Sequence, residues 1–172
     1  MLDINKLTYS DSAPYPEIKV CGQNYRYAGW MLDNVGGSNS EMSAVSLYLY
    51  NNLITDCHFE DIAAIFHKIS IVEMHHLEIF GKLALELGED PRLWTRCRSR
   101  KVYWTPGYNQ YPTVLSPLVR NALSGELAAI EKYENQIRSI DDPCIVENLK
   151  RIVADEQIHV ELFKEIIAIY DL

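Results

Sequence analysis

The sequence predicts an all-α fold: a four-helix bundle made of two similar helical hairpins joined by a long crossover. Three observations lead there. Two long segments carry apolar stripes spaced alternately four and three residues apart, the period of a bundle core. Each stripe is interrupted by a Glu and a His three residues apart. The two interrupted stretches, Val72 to Phe80 and Asp155 to Phe163, are near copies that read Glu-x-x-His-apolar-Glu-apolar-Phe.

The elements follow in chain order. Residues 1–22 contain Pro14, Pro16 and Gly22 and have no helical period, so they read as an irregular N-terminal arm. Residues 23–172 read as the bundle domain. It opens with a short helix over residues 23–35, ended by Gly36-Gly37. The first long helix opens near Glu41 and runs to about Thr55, with Ser38 and Glu41 spaced as a capping box. The second runs from about Phe59 to Gly88 on the stripe Ile62, Phe66, Ile69, Glu73, His76, Phe80 and Leu83. Asp90 to Pro112, rich in Arg, aromatics, Pro and Gly, reads as the crossover, its Trp and Tyr side chains expected to pack on the bundle. The third runs from about Leu115 to Ile140 on Val119, Ala122, Glu126, Ala129 and Tyr133. Asp141-Asp142-Pro143 then breaks the chain and starts the fourth, whose stripe is Ile145, Leu149, Ile152, Glu156, His159, Phe163, Ile166 and Tyr170.

Composition bounds the function. A chain of 172 residues fits one domain, and 48% hydrophobic with 23% charged residues is ordinary for a soluble protein. A net charge of -8 argues against nucleic acid as a partner. No apolar run is long enough to span a membrane, and the N-terminus lacks a signal-peptide core, so no membrane partner is expected. Cys21, Cys57, Cys97 and Cys144 stand far apart with no Cys-x-x-Cys, which excludes a zinc ribbon or rubredoxin-type iron site and suits a cytoplasmic location.

The chemistry lies in the interrupted stripes. Residues three apart share a helix face, so each copy points a carboxylate and an imidazole toward the core. The first and third long helices match as well. Glu41 precedes Glu73 by 32 residues and Glu126 precedes Glu156 by 30, and a tyrosine, Tyr48 or Tyr133, follows each helix-opening Glu by seven. Seven residues are two turns, about 10 Å along the axis on one face. Two hairpins related by a pseudo-twofold axis would gather four carboxylates and two imidazoles at one centre. Four buried carboxylates without compensation are too costly, and two divalent cations would neutralise them with both His neutral. Glu41, Glu73, His76, Glu126, Glu156 and His159 are therefore the expected metal ligands, and mixed carboxylate and imidazole donors suit two iron or manganese ions. Tyr48 and Tyr133 are expected to hydrogen-bond the opposite hairpin's carboxylate, and Glu41 and Glu126, with these tyrosines, to serve catalysis. His75, one residue from His76, falls on the flank of its helix.

Over about residues 38–170 this set resembles the ferritin-like superfamily: Glu41, Glu73-x-x-His76, Glu126 and Glu156-x-x-His159 match its dinuclear ligands one for one, and Tyr48 and Tyr133 its supporting tyrosines. The resemblance implies a ferritin-like bundle with a two-metal centre that performs redox chemistry on hydrogen peroxide or dioxygen. Rubrerythrin-like peroxidases share the ligand set and the repeat. Many carry a rubredoxin domain that is absent here, so an external electron donor protein is implied, and many carry a further Glu where Ala129 stands. Manganese catalases, which disproportionate peroxide, are similar around Gly36-Gly37 with Glu41 and in the crossover near Trp104-Thr105-Pro106, although their larger members have a basic residue where Gly125 stands. Bacterioferritin-like ferroxidases, which oxidise and store iron, share the six ligands but usually lack the arm and crossover. A rubrerythrin-like peroxidase is the leading expectation, and a homodimer or higher oligomer is expected.

Overall fold

The computed structural model describes residues 4, 6–98 and 100–172. Five α-helices account for most of them: α1 (Tyr25–Gly36), α2 (Glu41–Thr55), α3 (Glu60–Glu86), α4 (Leu115–Ser139) and α5 (Pro143–Tyr170). The last four are the long helices of an all-α, ferritin-like bundle. α2 packs along α3 and α4 along α5, and the two hairpins meet through α3 against α5 and α2 against α4.

Local chemistry sets the ends. The Asn24 side chain accepts from the amides of Arg26 and Tyr27 and starts α1. Asp142 does the same for Cys144 and Ile145 at the head of α5, and Pro143 fills the first turn, where no amide is needed. At α2 the capping-box spacing of Ser38 and Glu41 is not used. Ser40 is the cap, accepting from the Ser43 amide at 3.4 Å, because the Glu41 side chain that a box would turn back to the backbone is buried in the bundle. Gly88 follows α3 with φ +98°, which lets the chain leave the helix sharply.

The crossover is more ordered than its composition suggests. It holds a short antiparallel hairpin, β1 (Trp94–Cys97) with β2 (Arg100–Tyr103), and a 3₁₀ turn over Pro106–Tyr108. Trp94 is buried against the α1 end of the core, and a Cβ at Gly36 would lie 2.5 Å from the Trp94 nitrogen, so only glycine admits the hairpin there. The Trp104 indole donates to Ser43 Oγ and the Asn109 amide to the Ser43 carbonyl, pinning the far part of the crossover to α2.

The apolar core forms two clusters. One gathers Met31, Leu32, Phe80, Leu83, Trp94, Tyr133, Leu149 and Ile152, the other Tyr48, Ile62, Phe66, Ile69, Val119, Ala122, Phe163 and Ile166. The Glu and His stripe positions belong to neither. They are fully buried polar groups lying along the same stripes, flanked by apolar residues on both sides.

Residues 6–24 form no helix or strand and run antiparallel along α5. The Tyr9 carbonyl meets His159, the Asp11 amide meets Asp155, the Ala13 carbonyl meets Arg151, the Glu17 carbonyl meets Asn148, and the Cys21 amide meets Asp142. Among the described residues no helix is long and apolar enough to cross a membrane.

Candidate metal centre

Each of the four bundle helices delivers its polar stripe residues to one point. The six side chains of Glu41, Glu73, His76, Glu126, Glu156 and His159 are 0–2% exposed. Their donor atoms form two overlapping groups, Glu41, Glu73, His76, Glu156 and Glu73, Glu126, Glu156, His159, each with all its donors within 4.8 Å of one another. Glu73 and Glu156 belong to both.

The distances show why. One Glu73 oxygen lies 3.1 Å from His76 Nδ1 and the other 3.0 Å from His159 Nδ1. Glu156 does the converse, 3.3 Å from His76 Nδ1 and 3.1 Å from His159 Nδ1. Each of these carboxylates thus spans both imidazoles. Glu41 approaches only His76, at 3.9 Å, and Glu126 only His159, at 3.6 Å. The pseudo-twofold relation is therefore carried by individual atoms: two spanning carboxylates, then one carboxylate and one imidazole at each end.

The outward nitrogens of the imidazoles fix their tautomers. His159 Nε2 is 2.9 Å from the Tyr9 carbonyl oxygen, which can only accept, so Nε2 carries the proton. His76 Nε2 donates to Asp155 at 3.0 Å. Both Nδ1 atoms then turn their lone pairs toward the centre when the rings are neutral, the arrangement a metal ligand requires. The tyrosines complete the pattern across the hairpins. Tyr48 donates to Glu126 and Tyr133 donates to Glu41 through short hydrogen bonds. Phe163 lies 5.8 Å from the Tyr48 ring, and Phe80 lies 5.2 Å from that of Tyr133, so each motif's Phe buttresses the tyrosine of the other hairpin.

The electrostatics are those of a site built for cations. Burial, then the charges of Glu73 and Glu156, pushes the Glu41 carboxyl well above the usual range, and Glu126 is raised in the same way. Burial acts in the same sense on Glu73 and Glu156, but the imidazoles on either side outweigh it and hold both below the usual range. Burial raises the Tyr48 and Tyr133 hydroxyls, with the adjoining carboxylates adding to it, so both stay protonated donors. One Glu73 oxygen, Oε1, is fully buried without a hydrogen-bond partner among the described residues. A buried carboxylate oxygen that faces the His159 Nδ1 lone pair at 3.0 Å, inside a ring of oxygen and nitrogen donors, fits a cation. Six donors with four negative charges suit two divalent ions and neutral imidazoles.

Outside the six, the centre uses residues that the repeat did not mark. Asp155 is fully buried. It accepts from His76 Nε2, from the Tyr15 hydroxyl at 2.6 Å, from Arg151 at 2.5 Å and from the Asp11 amide at 2.6 Å. Burial tends to raise its carboxyl, but the bonds from His76, Tyr15 and Arg151 outweigh this and hold it at about 2. Burial and the bond to Asp155 push the Tyr15 hydroxyl up to about 12. Arg151 lies 4.0 Å over the Tyr15 ring and donates to the Ala13 and Asp11 carbonyls. A signal was available: Asn148, Arg151, Asp155 and Leu162 make a second stripe on α5, which the arm covers. His75, on the flank as its position implied, packs edge-on against Tyr15 at 4.4 Å.

A cavity of about 270 Å³ reaches the centre between α2 and α4. Glu41, Glu73, Glu126, Glu156, Tyr48 and Tyr133 line its inner part, and Ser38, Asn39, Tyr108, Asn109, Asn121 and Ser124 its outer part. Gly125 and Ala129 also line it, and a Cβ added at Gly125 would meet nothing within 4 Å. The small residues at these two α4 positions leave the approach open.

Residues 37–167 match the family model described as Rubrerythrin. No curated protein matches the chain significantly. Among solved structures, the chain resembles wild-type KatB, a manganese catalase from Anabaena, with a TM-score of 0.82 at 21% identity over 96% of this chain and 81% of that one. A second structure of KatB, from Anabaena PCC7120, matches with a TM-score of 0.81 at 21% identity over the same shares.

Proposed function

The chain belongs to the rubrerythrin family, and from that premise we propose that it is a dinuclear non-haem iron or manganese oxidoreductase acting on hydrogen peroxide or dioxygen, most simply a peroxidase. The observation that carries this reading is the pair Glu73 and Glu156, each spanning both imidazoles at the inner end of an open cavity. Glu41, Glu73, His76 and Glu156 would hold one ion and Glu73, Glu126, Glu156 and His159 the other. When bound, the two ions would supply the electrons for cleaving an oxygen–oxygen bond. The protein's own part is positioning and proton transfer. Tyr133 and Tyr48 hold Glu41 and Glu126 in place from the opposite hairpin. These two carboxylates face the cavity and can take a proton from an arriving peroxide and return it to a departing oxygen. The flanking apolar clusters keep bulk water from the other sides.

A second reading, disproportionation of peroxide, draws on Ala129, which leaves α4 without a further carboxylate in the cavity, and on the likeness to KatB, which takes in nearly the whole chain. Peroxide reduction needs an external electron donor, and a cytoplasmic setting supplies such proteins. Disproportionation needs none. Metal analysis of the purified chain, paired with oxygen release from hydrogen peroxide, separates them. Two metal ions per chain with peroxide consumed only when a donor is present support the peroxidase. Oxygen release without a donor supports the catalase. A chain that takes up no iron or manganese even on anaerobic reconstitution would overturn both.

A further inference from the structure

The arm and the head of α5 bring two cysteines together outside the metal centre. Cys21 and Cys144 are 123 positions apart in sequence, yet their sulfurs lie within 4.8 Å of each other. One buried carboxylate sets both backbones: Asp142 accepts the Cys21 amide at 2.6 Å on one oxygen and the Cys144 amide at 3.0 Å on the other. Cys21 is exposed and Cys144 half-buried, so small oxidants reach both. The other two cysteines lie elsewhere, Cys57 in the turn after α2 and Cys97 at the end of β1.

We propose that Cys21 and Cys144 form a reversible disulfide that clasps the N-terminal arm to the head of α5 when peroxide rises. The choice of peroxide as oxidant rests on the function proposed above; the pairing of the cysteines does not. One sulfur attacks a peroxide oxygen, the oxygen–oxygen bond breaks, and a sulfenic acid and one water result. The second sulfur displaces the sulfenic hydroxyl as a second water and the sulfur–sulfur bond forms. Two thiols and one hydrogen peroxide thus give one disulfide and two waters, and the two electrons lost by sulfur are those gained by oxygen. A dithiol reductant reverses the step. A soft cation held by the same groups is disfavoured, because Asp142 already spends its oxygens on the amides of Cys21, Cys144 and Ile145.

The consequence reaches the centre, because the arm upstream of Cys21 supplies the Tyr9 carbonyl to His159 and the Asp11 amide and Tyr15 hydroxyl to Asp155. A covalent link at one end of that arm disfavours its lifting from α5.

The test uses the full chain, reduced, then exposed either to hydrogen peroxide or to glutathione disulfide. Free thiols are alkylated and the chain is mapped by mass spectrometry without reduction. Both oxidants should give a Cys21–Cys144 cross-linked peptide, lighter by two hydrogens, with Cys57 and Cys97 alkylated. C21S and C144S should each abolish it. Cleavage of the arm by added protease should slow by about tenfold in the oxidised chain and recover on reduction. Both thiols remaining alkylatable in glutathione disulfide would overturn the pairing, as would their protection by added zinc ion alone. A cross-link with glutathione disulfide but sulfinic acid with peroxide would overturn peroxide as the oxidant. An unchanged cleavage rate would overturn the clasp.

Discussion

At the scale of single residues, the centre depends on hydrogen bonds that hold its donors. The Tyr48 and Tyr133 hydroxyls are each committed to one carboxylate of the opposite hairpin. Tyr48→Phe and Tyr133→Phe should leave two metal ions per chain in place and lower turnover by roughly 10-fold or more, with similar losses in the two variants because the sites are related by the pseudo-twofold. Steady-state rates on metal-analysed protein check this. Of the two imidazoles Asp155 contacts only His76, so Asp155→Asn should weaken one of the two metal affinities by roughly 10–100-fold and the other far less, as read by competition with a metal chelator. Its acid behaviour follows from its pKa, held at about 2 against an ordinary 3.8. The fold favours the ionised form, so the stability it contributes is present in full above about pH 4 and is lost as the pH falls through 2. Thermal melts of the metal-free chain over that window should be less steeply pH-dependent in Asp155→Asn than in the wild type.

At the scale of elements, the arm acts as a component of the centre, although it contributes no expected ligand. It supplies the acceptor that fixes the His159 tautomer and covers the Arg151 and Asp155 face of α5. The buried members of both apolar clusters all lie from Tyr27 onward, with Tyr15, Ile18 and Val20 of the arm packed on one and Leu7 and Tyr9 on the other. Removal of residues 1–22 should keep the helical circular dichroism but weaken metal binding by about tenfold or more. Loss of the helical signal would show instead that the arm is part of the folding unit. On α4, Gly125 and Ala129 keep the approach wide.

For the whole molecule, metal and fold are linked, because the donors converge only in the folded chain. Without cations, burial of the four carboxyls costs stability even with the imidazoles beside them, and binding to the native state alone adds about 2.7 kcal/mol per site at a hundredfold excess over Kd. For a chain of 172 residues that corresponds to a rise in Tm of about 5–10 °C per site. Calorimetry with added manganese or iron(II) should show it, and a chelator should reverse it. A Tm indifferent to both would contradict the dinuclear centre.

The sequence by itself determined the bundle, its long crossover and the convergence of six donors. Helical periodicity is a local property, and Glu and His on an otherwise apolar stripe have one direction to face. Repetition then related the halves: Tyr48 to Tyr133, Glu41 to Glu126, Glu73-x-x-His76 to Glu156-x-x-His159. Only the tertiary structure decided which carboxylates span both imidazoles, since that depends on interatomic distances between helices rather than on spacing within one. It alone placed the arm on α5, because residues 6–24 have no period from which a docking face can be read. The support for the two imidazoles, an aspartate for His76 and a backbone carbonyl for His159, was equally hidden. The halves repeat in sequence, but the arm runs along α5 and packs Tyr15 on His75 of α3, and that one-sided cover breaks the symmetry.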